Sequence, residues 1–571
     1  MTGPARVAIL GNPAHPDVEW SAENLRALVD LGFTAVQLNI AWSYRPLDEP
    51  LNLEDVWDVA GPVASSATPG RLPERQADLR RRSELATEAG LRTLFHFGAP
   101  FQGRAGFDGA PLPQCISDPA TGERYAEALA GFAGSFPLVE DLLVYTYDQD
   151  AWLCSEFGDC DRCAGVPLHE RLPRFLDGLA ASWADVRPTG RVWWEPWELS
   201  SGQTFACIER LAPGGIGLMM HSSIAEVIST MPADRFLRSA AALAASRGIP
   251  VIAEAFLSSA NEEVEPWENL PVPLVTIRQL RALDAVDGVV GVKEYYGIVP
   301  EGQDVNLAAA AQYFADPDAD EATLLARLAD RLGGPGLAEF WTLTSSAYEQ
   351  YPWDATWFAR QLGRSQPVHA LSAATVRGSQ SAASAWETPA WRSSRGSVFM
   401  RTTNDPAHPW LLEDVELRCR MAARTMERAV ARADQGLEVP ALQLSEAVGF
   451  ITRATALALH IRATTLADRL RSGGGDRARL IEELRDTLRE DLANQRRELD
   501  RHAITGAAAM ATVDPSPLQL AERWVVEPRT STAAIEGAIA LLDDDVDEFL
   551  RVHLLPAPDA AEAGQFSLTS R

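Results

Sequence analysis

The sequence predicts a (β/α)8 barrel over about its first 300 residues, followed by a mostly α-helical C-terminal region. Three observations predict it. Short apolar, β-branched runs recur eight times before residue 300, each bounded by Gly, Pro or Asp, as strands buried on both faces do. Helical patterns or long connections separate those runs. After Gly297 the strand-like runs stop, and long segments rich in Ala, Leu, Arg and Glu take over.

The strand candidates are RVAIL at 6–10, TAVQLNI at 34–40, TLFHF at 93–97 and LLVYTY at 142–147. RVWWE at 191–195, IGLMMH at 216–221, VIAE at 251–254 and VVGVKE at 289–294 complete the eight. Helices are expected at 22–32 and 75–90, which end on Gly32 and Gly90, residues suited to a helix C-terminus. Further helices are expected at 121–134, 168–184, 233–247 and 273–284. A doubly wound sheet would carry a glycine-rich phosphate loop after its first strand, and GNPAHP at 11–16 is not one.

The domain reading is a barrel over 1–306, a helical extension over 307–371, an irregular connection over 372–409 and a helical domain over 410–571. Long helices are expected within 307–360, 411–505 and 536–553, with SGGGD at 472–476 turning between antiparallel helices. The connection is rich in Ser, Ala, Thr, Pro and Trp, which suits neither period.

Composition narrows the function classes. The chain has 571 residues, is 46% hydrophobic and carries a formal charge of −28, with no basic patch. Phosphate binding wants clustered cations, so no nucleic acid and no membrane surface is expected as a partner. The N-terminus lacks a charged leader followed by an apolar stretch, and no apolar run approaches about twenty residues, so a cytoplasmic location is expected. A homo-oligomer is compatible with all of this.

In a (β/α)8 barrel the chemistry sits at the C-terminal ends of the strands. Reading those ends in order yields Asn12 and His15, then Asn39, Trp42 and Tyr44, then His96. Asp148, Asp150 and Trp152 follow the fourth strand, and Glu195, Trp197 and Glu198 the fifth. His221, Glu254, and Lys293 with Glu294 and Tyr295 end the last three. Aromatics that stack on sugar faces, amides and carboxylates that grip hydroxyls, and paired carboxyls are the equipment of glycosidic cleavage. Each residue also has a plainer reading: Asp148 and Asp150 as caps, His96 and His221 as core histidines, Glu294 as the ion-pair partner of Lys293. Glu254 sits between VIA and AF, so a strand must bury it, and a buried carboxylate has to be paired or functional.

Cys154, Cys160 and Cys163 follow the fourth strand with the spacing Cys-x5-Cys-x2-Cys. A structural zinc needs four ligands, and Cys115 or His169 is the candidate fourth. A disulfide or packed free thiols are the alternatives, and Cys207 and Cys419 read as core residues.

PQCISDP at 113–119, a helix, an apolar strand, an Asp and then WLC…CDRC resemble a group of (β/α)8 glycoside hydrolases. These are the β-hexosaminidase-like and α-glucuronidase-like barrels, which include members with a cysteine-bearing loop after strand four. ADPDADEATLLARLADRLGG at 315–334 and FWTLTSSAYEQYP at 340–352 look like the helical domain that follows such barrels. The resemblance covers about residues 20–350 and implies a glycosidase. The pattern departs from the group at strand four, where β-hexosaminidases carry Asp-Glu and this chain has Asp148-Gln149-Asp150. Retaining barrel glycosidases place a nucleophile at the end of strand seven, which matches Glu254; their Asn-Glu after strand four is missing here.

The expectation is therefore an exo-acting glycoside hydrolase that needs no cofactor for catalysis and takes a small glycoside or oligosaccharide. Glu254 is its nucleophile or base, Asp150 or Asp148 its acid, and Glu195 the reserve for either role. Trp42, Tyr44, Trp152 and Trp197 form the walls; Asn39, His96, His221, Glu294 and Tyr295 hold the sugar. Two alternatives stay open. One is a metal-dependent sugar isomerase or epimerase with Glu195, His221, Glu254 and Glu294 around a cation. The other is a sugar-binding protein without catalysis.

Overall fold

A computed structural model of the chain describes residues 4–12, 17–40, 49–50, 52–57, 71–101, 114–146, 151, 153–154, 156, 158, 160–196, 199, 201–220, 228, 230–258, 270–300, 304–353, 409–505 and 532–553. Eight parallel strands close into a barrel in sequence order. They are β1 (Ala5–Ile9), β2 (Ala35–Gln37), β3 (Arg92–Gly98), β4 (Asp141–Tyr145), β5 (Val192–Glu195), β6 (Gly217–Met220), β7 (Val251–Ala255) and β8 (Val289–Glu294). Each lies on one of the eight predicted runs. β2 is shorter than its run of seven: the Leu38 N–H still donates to the Leu94 carbonyl, and beyond it the Asn39 side chain takes over the bonding to β3.

The helices that wrap the barrel are α1 (Ala22–Asp30), α2 (Leu72–Glu88), α3 (Pro119–Ser135), α4 (Leu168–Val186), α5 (Ser201–Ile208), α6 (Arg235–Ser246), α7 (Pro273–Asp284) and α8 (Val305–Ala315). Their starts follow local chemistry. The side chains of Ser21, Asp118, Asp234 and Asp304 each accept an N-terminal backbone N–H of the helix that follows. Pro119 and Pro273 occupy first-turn positions, where no N–H is needed. Gly32 and Gly90 adopt φ of 93° and 82°, the left-handed turn that sends each helix back into a strand. The short helix α5 was not expected; SGQTFACI carries a glycine and only eight residues, about two turns, too little pattern to read.

Alternation along the strands splits the interior in two. Residues facing outward join the helix faces in one large core, whereas Ala5, Val7, Ala35, Leu94, Leu143, Trp193, Met219 and Ile252 form a separate apolar plug inside the ring. Two glycines make room for large side chains inside the ring. A Cβ on Gly217 would lie 2.3 Å from the Trp193 ring, and one on Gly98 would lie 2.8 Å from the Tyr145 ring.

The ring is tied at its base by Arg92, whose guanidinium donates to both Asp141 oxygens at 2.7 Å. Closure depends on β8, which pairs with β7 on one side and β1 on the other. Gly291 sits at the β1 seam, where a Cβ would fall 2.1 Å from the Ala5 carbonyl oxygen.

Beyond the barrel run α9 (Glu321–Leu332), α10 (Gly336–Gln350), α11 (Pro409–Asp434), α12 (Ala441–Arg471) and α13 (Arg477–Thr505), then helical residues 532–544 and Val546–His553. Residues 472–476 form the expected turn, but 536–553 is two helices rather than one. The 306 boundary falls inside α8, the helix that completes the eighth β/α unit. The predicted connection 372–409 lies almost wholly outside the described residues. Among the described residues no helix is long and apolar enough to cross a membrane.

The helical part shares the barrel's core. α10 packs between α7 on one side and α11 on the other. The Tyr348 hydroxyl donates to the Ile228 carbonyl at 2.8 Å, and Trp341 Nε1 donates to Gln443 Oε1 of α12 at 2.9 Å. Buried apolar residues run without a break from β1 to Ile461, and a second cluster joins α12, α13 and the last helices. A fragment ending at Asn306 would cut α8 and bare the face of α7 that α10 covers. It is expected to aggregate or to lack a cooperative thermal transition by circular dichroism; a soluble fragment that melts cooperatively would show the barrel to be self-sufficient.

Candidate active site

One step further along the strands, the side chains facing into the barrel become polar. Residues two apart share a face. His96 therefore follows Leu94, Tyr145 follows Leu143, Glu195 follows Trp193, and Glu254 follows Ile252. These side chains, with Gln37 and Lys293, form a polar layer over the apolar plug at the C-terminal mouth of the ring. All are buried.

The layer is organised by a buried ion pair. Lys293 Nζ lies 3.0 Å from Glu254 Oε1, with side-chain exposures of 2% and 0%. Register places them together: Glu254 and Lys293 are Cα partners on β7 and β8. Val251 pairs with Val289 but Ile252 pairs with Gly291, so a bulge inserts Val290. Without that extra residue Glu254 would oppose Val292. The Lys293 ammonium also lies 5.4 Å from the centre of the half-buried Tyr295 ring. The second Glu254 oxygen, Oε2, is buried and has no hydrogen-bond partner among the described residues.

Across the mouth, His96 Nε2 stands 3.4 Å from Glu195 Oε2. The His96 ring meets Tyr145 edge-on at 4.9 Å. Burial holds the His96 pKa well below its ordinary value, and the nearby Lys293 charge lowers it further, so the imidazole is neutral and the contact is not an ion pair. Two carboxyl groups thus occupy one mouth in different settings, Glu254 against a cation and Glu195 against a neutral ring.

Two expected sugar-binding residues have other work. The Asn39 amide donates to the carbonyls of His96 and Pro50 at 2.8 and 2.9 Å and accepts the His96 N–H at 2.9 Å. It stitches β2 to β3, and its polar atoms are already engaged. The Glu294 carboxylate accepts the backbone N–H groups of Leu257 and Tyr296 at 2.7 and 3.1 Å, clasping the β7 and β8 loops. Burial pushes its pKa up to about 8. Glu294 is thereby withdrawn from the cation ring that an isomerase reading needs. Asp148, Asp150, Trp42, Tyr44, Trp152, Trp197 and His221 lie outside the described residues, as do His15 and Glu198.

Tyr145 was not among the residues expected at the strand ends, and Lys293, expected there as the ion-pair partner of Glu294, pairs with Glu254 instead. A lysine inside the apolar run VVGVKE carries the same signal as Glu254, a charge that a buried strand must pair. Cys154, Cys160 and Cys163 come together with Cys115, their four Sγ atoms all within 4.8 Å of one another. His169 is not in the group. Among the described residues this is the only His, Cys, Asp or Glu cluster with metal-binding geometry.

No family model and no curated protein matches the chain. Among solved structures, a GH138 enzyme targeting pectin rhamnogalacturonan II aligns with a TM-score of 0.57 at 12% identity, over 95% of this chain and 85% of that one. A Bacteroidetes-affiliated GH5 cellulase linked with a polysaccharide utilization locus aligns at 0.36 and 11%, over 57% of this chain and 95% of that one. The GH20 exo-β-N-acetylglucosaminidase from Vibrio harveyi aligns at 0.36 and 11%, over 60% of this chain and 59% of that one. The first likeness shows a shared fold that includes the helical part as well as the barrel.

Removing one member of the buried pair leaves the other charge alone. Lys293→Met is expected to cost about 3–5 kcal/mol in urea unfolding, and Glu254→Gln with Lys293→Met less than the two single changes summed. Strict additivity would show that the two charges are not coupled.

Stability should also depend on pH with a defined sign. Burial raises Glu294 to about 8 and Asp491, on α13, to about 7, so below those values the folded chain holds protons that the unfolded chain has released. That contribution is complete below the ordinary carboxylate range and is lost as pH rises through 7 and 8. His96, with a lowered value, contributes in the opposite sense and only below about 6.5. Between pH 6.5 and 8 the carboxyls act alone, and stability should fall by roughly 1–2 kcal/mol per group. Glu54, also raised to about 7, adds to the slope, so calorimetry should find that Glu294→Gln flattens part of it; an unchanged slope would show that Glu294 is already ionised.

Proposed function

We propose that this chain is a glycoside hydrolase, exo-acting on a small glycoside or oligosaccharide. The observation that carries the reading is the pair of buried carboxyls, Glu254 and Glu195, at the mouth of one barrel, one beside a cation and the other beside a neutral ring. Carboxyl pairs whose surroundings separate them are how one site holds an ionised group and a proton donor together. Support also comes from the fold shared with the GH138 enzyme along nearly the whole chain.

In this mechanism Glu254, beside the Lys293 ammonium, acts as a carboxylate, the nucleophile or the base. Its Oε2, not engaged by Lys293, is the oxygen that would face the anomeric carbon or the attacking water. A protonated Glu195 would give its proton to the glycosidic oxygen, and the neutral His96 beside it can accept a hydrogen bond from that carboxyl. Asp148 and Asp150, after β4, are the alternative acids. Tyr295 with Trp42, Tyr44, Trp152 and Trp197 would stack on the sugar, and His221 would hold a hydroxyl. The exo-acting character rests on the resemblance to β-hexosaminidase-like and α-glucuronidase-like barrels. No cofactor enters the chemistry.

A panel of chromogenic glycosides should reveal a substrate. On it, Glu254→Gln, less stable because Lys293 loses its partner but still folded, should lose turnover by about three orders of magnitude or more, since the carboxylate is lost while positioning remains. If Glu254 is the nucleophile, azide restores turnover to Glu254→Ala as a glycosyl azide of inverted configuration. Near-native turnover in Glu254→Gln would remove this residue from the mechanism. If Glu195 is the acid, Glu195→Gln keeps activity on substrates with activated leaving groups and loses it on natural ones.

A further inference from the structure

The four cysteines beside the mouth belong to neither the core nor the carboxyl chemistry. Cys115 comes from the β3–α3 connection, and Cys154, Cys160 and Cys163 from the β4–α4 connection. They form an apolar cluster of their own, in which Cys115, Cys154 and Cys163 are buried and Cys160 is half-buried. Cys115 Sγ lies 3.3 Å from Cys163 Sγ and 3.7 Å from Cys160 Sγ. A disulfide needs about 2.05 Å between sulfurs, and none of the six cysteines is bonded to another. A tetrahedral zinc with bonds of about 2.3 Å would space its sulfurs about 3.8 Å apart. Both spacings lie just below that value, and all four sulfurs fall within 4.8 Å of one another.

The surroundings are built for the same end. The Cys163 N–H and the Ala164 N–H both donate to the Cys160 carbonyl, at 2.9 and 2.8 Å, closing the Cys160-x2-Cys163 segment into a tight turn. Gly165, at φ 73°, continues it and donates to the Glu156 carbonyl at 2.7 Å. The buried Arg171 of α4 braces the loop at two points, donating to the Cys154 and Val166 carbonyls at 3.0 Å each. Its guanidinium also sets a positive charge near the sulfurs. The Ser117 hydroxyl lies 3.4 Å from the Cys163 sulfur.

We propose that Cys115, Cys154, Cys160 and Cys163 form a structural zinc site that staples the β3–α3 connection to the β4–α4 connection. Binding exchanges four thiol protons for one Zn²⁺, leaving a tetrathiolate centre of net charge −2 that Arg171 partly balances. Closed by four sulfurs, the centre has no open position for water or substrate, so its role is architectural. Its effect reaches the mouth through Cys115 and Cys154, which anchor the connections that follow β3 and β4.

Elemental analysis of the full-length protein, purified without chelators, should find one equivalent of zinc per chain. Titration with a mercurial should release it as four thiols react, and X-ray absorption should show four sulfur neighbours at about 2.3 Å. Cys160→Ser, at the half-buried ligand, should lose the zinc and melt at a lower temperature. Cys419→Ala, in α11, should keep it. If Cys160→Ser does not fold, the metal content and mercurial titration of the unaltered protein still decide. Metal-free native protein, stoichiometric iron in place of zinc, or a disulfide mapped between any two of the four in freshly purified protein would overturn the assignment.

Discussion

The closure of the ring by β8 is the constraint on which the rest of the molecule depends. An open eight-strand sheet would leave two edges and no interior; closure removes both and forces alternate side chains of every strand into one shared space. β8 carries the features that make this work. Gly291 lets β1 approach to a distance no side chain would permit, and the bulge at Val290 advances the strand by one residue relative to β7. That advance turns Lys293, rather than Val292, toward Glu254. A charge on one of the last strands is thus neutralised by the same pairing that seals the barrel.

From closure follows the layering of the interior. The apolar plug is filled by Trp193, which Gly217 accommodates, and it excludes water from beneath the mouth. Above it the polar layer sits on an apolar floor, where interactions between charges are stronger than at the surface and an unpaired charge is costly. The Glu254–Lys293 pair satisfies that demand for one carboxylate. His96, kept neutral by burial and by the Lys293 charge, gives Glu195 a different neighbour. The asymmetry between the two carboxyls is therefore a consequence of where a single lysine lies.

The mouth is held by the elements around it rather than by the strands alone. Asn39 stitches β2 to β3 where the β-ladder ends, and Glu294 clasps the loops after β7 and β8 through backbone N–H groups. Asn306 binds both the Val272 N–H and the Leu270 carbonyl, and the Thr344 hydroxyl reaches the Pro271 carbonyl, so α8 and α10 brace the approach to α7. The helical region works as a buttress for one side of the barrel. This explains why its apolar faces continue the barrel core instead of forming a wholly separate one.

The strands and most of the helices were legible in the chain because their signals are local: short β-branched runs, capping side chains, glycines at helix ends. Glu254 was legible for the same reason, as a carboxylate in an apolar strand, and so were three of the four clustered cysteines. Tertiary structure alone decided the rest, for reasons that are equally physical. The partner of Glu254 lies 39 residues away and is selected by a bulge that no spacing announces. Cys115 rather than His169 completes the sulfur cluster because the β3 and β4 loops converge only once the ring has closed. Asn39 and Glu294 share residue type and strand-end position with sugar-binding groups, yet their side chains turn to the backbone. A one-dimensional chain records which groups arrive at the mouth, whereas the direction each one faces is fixed by the neighbours that closure brings alongside it.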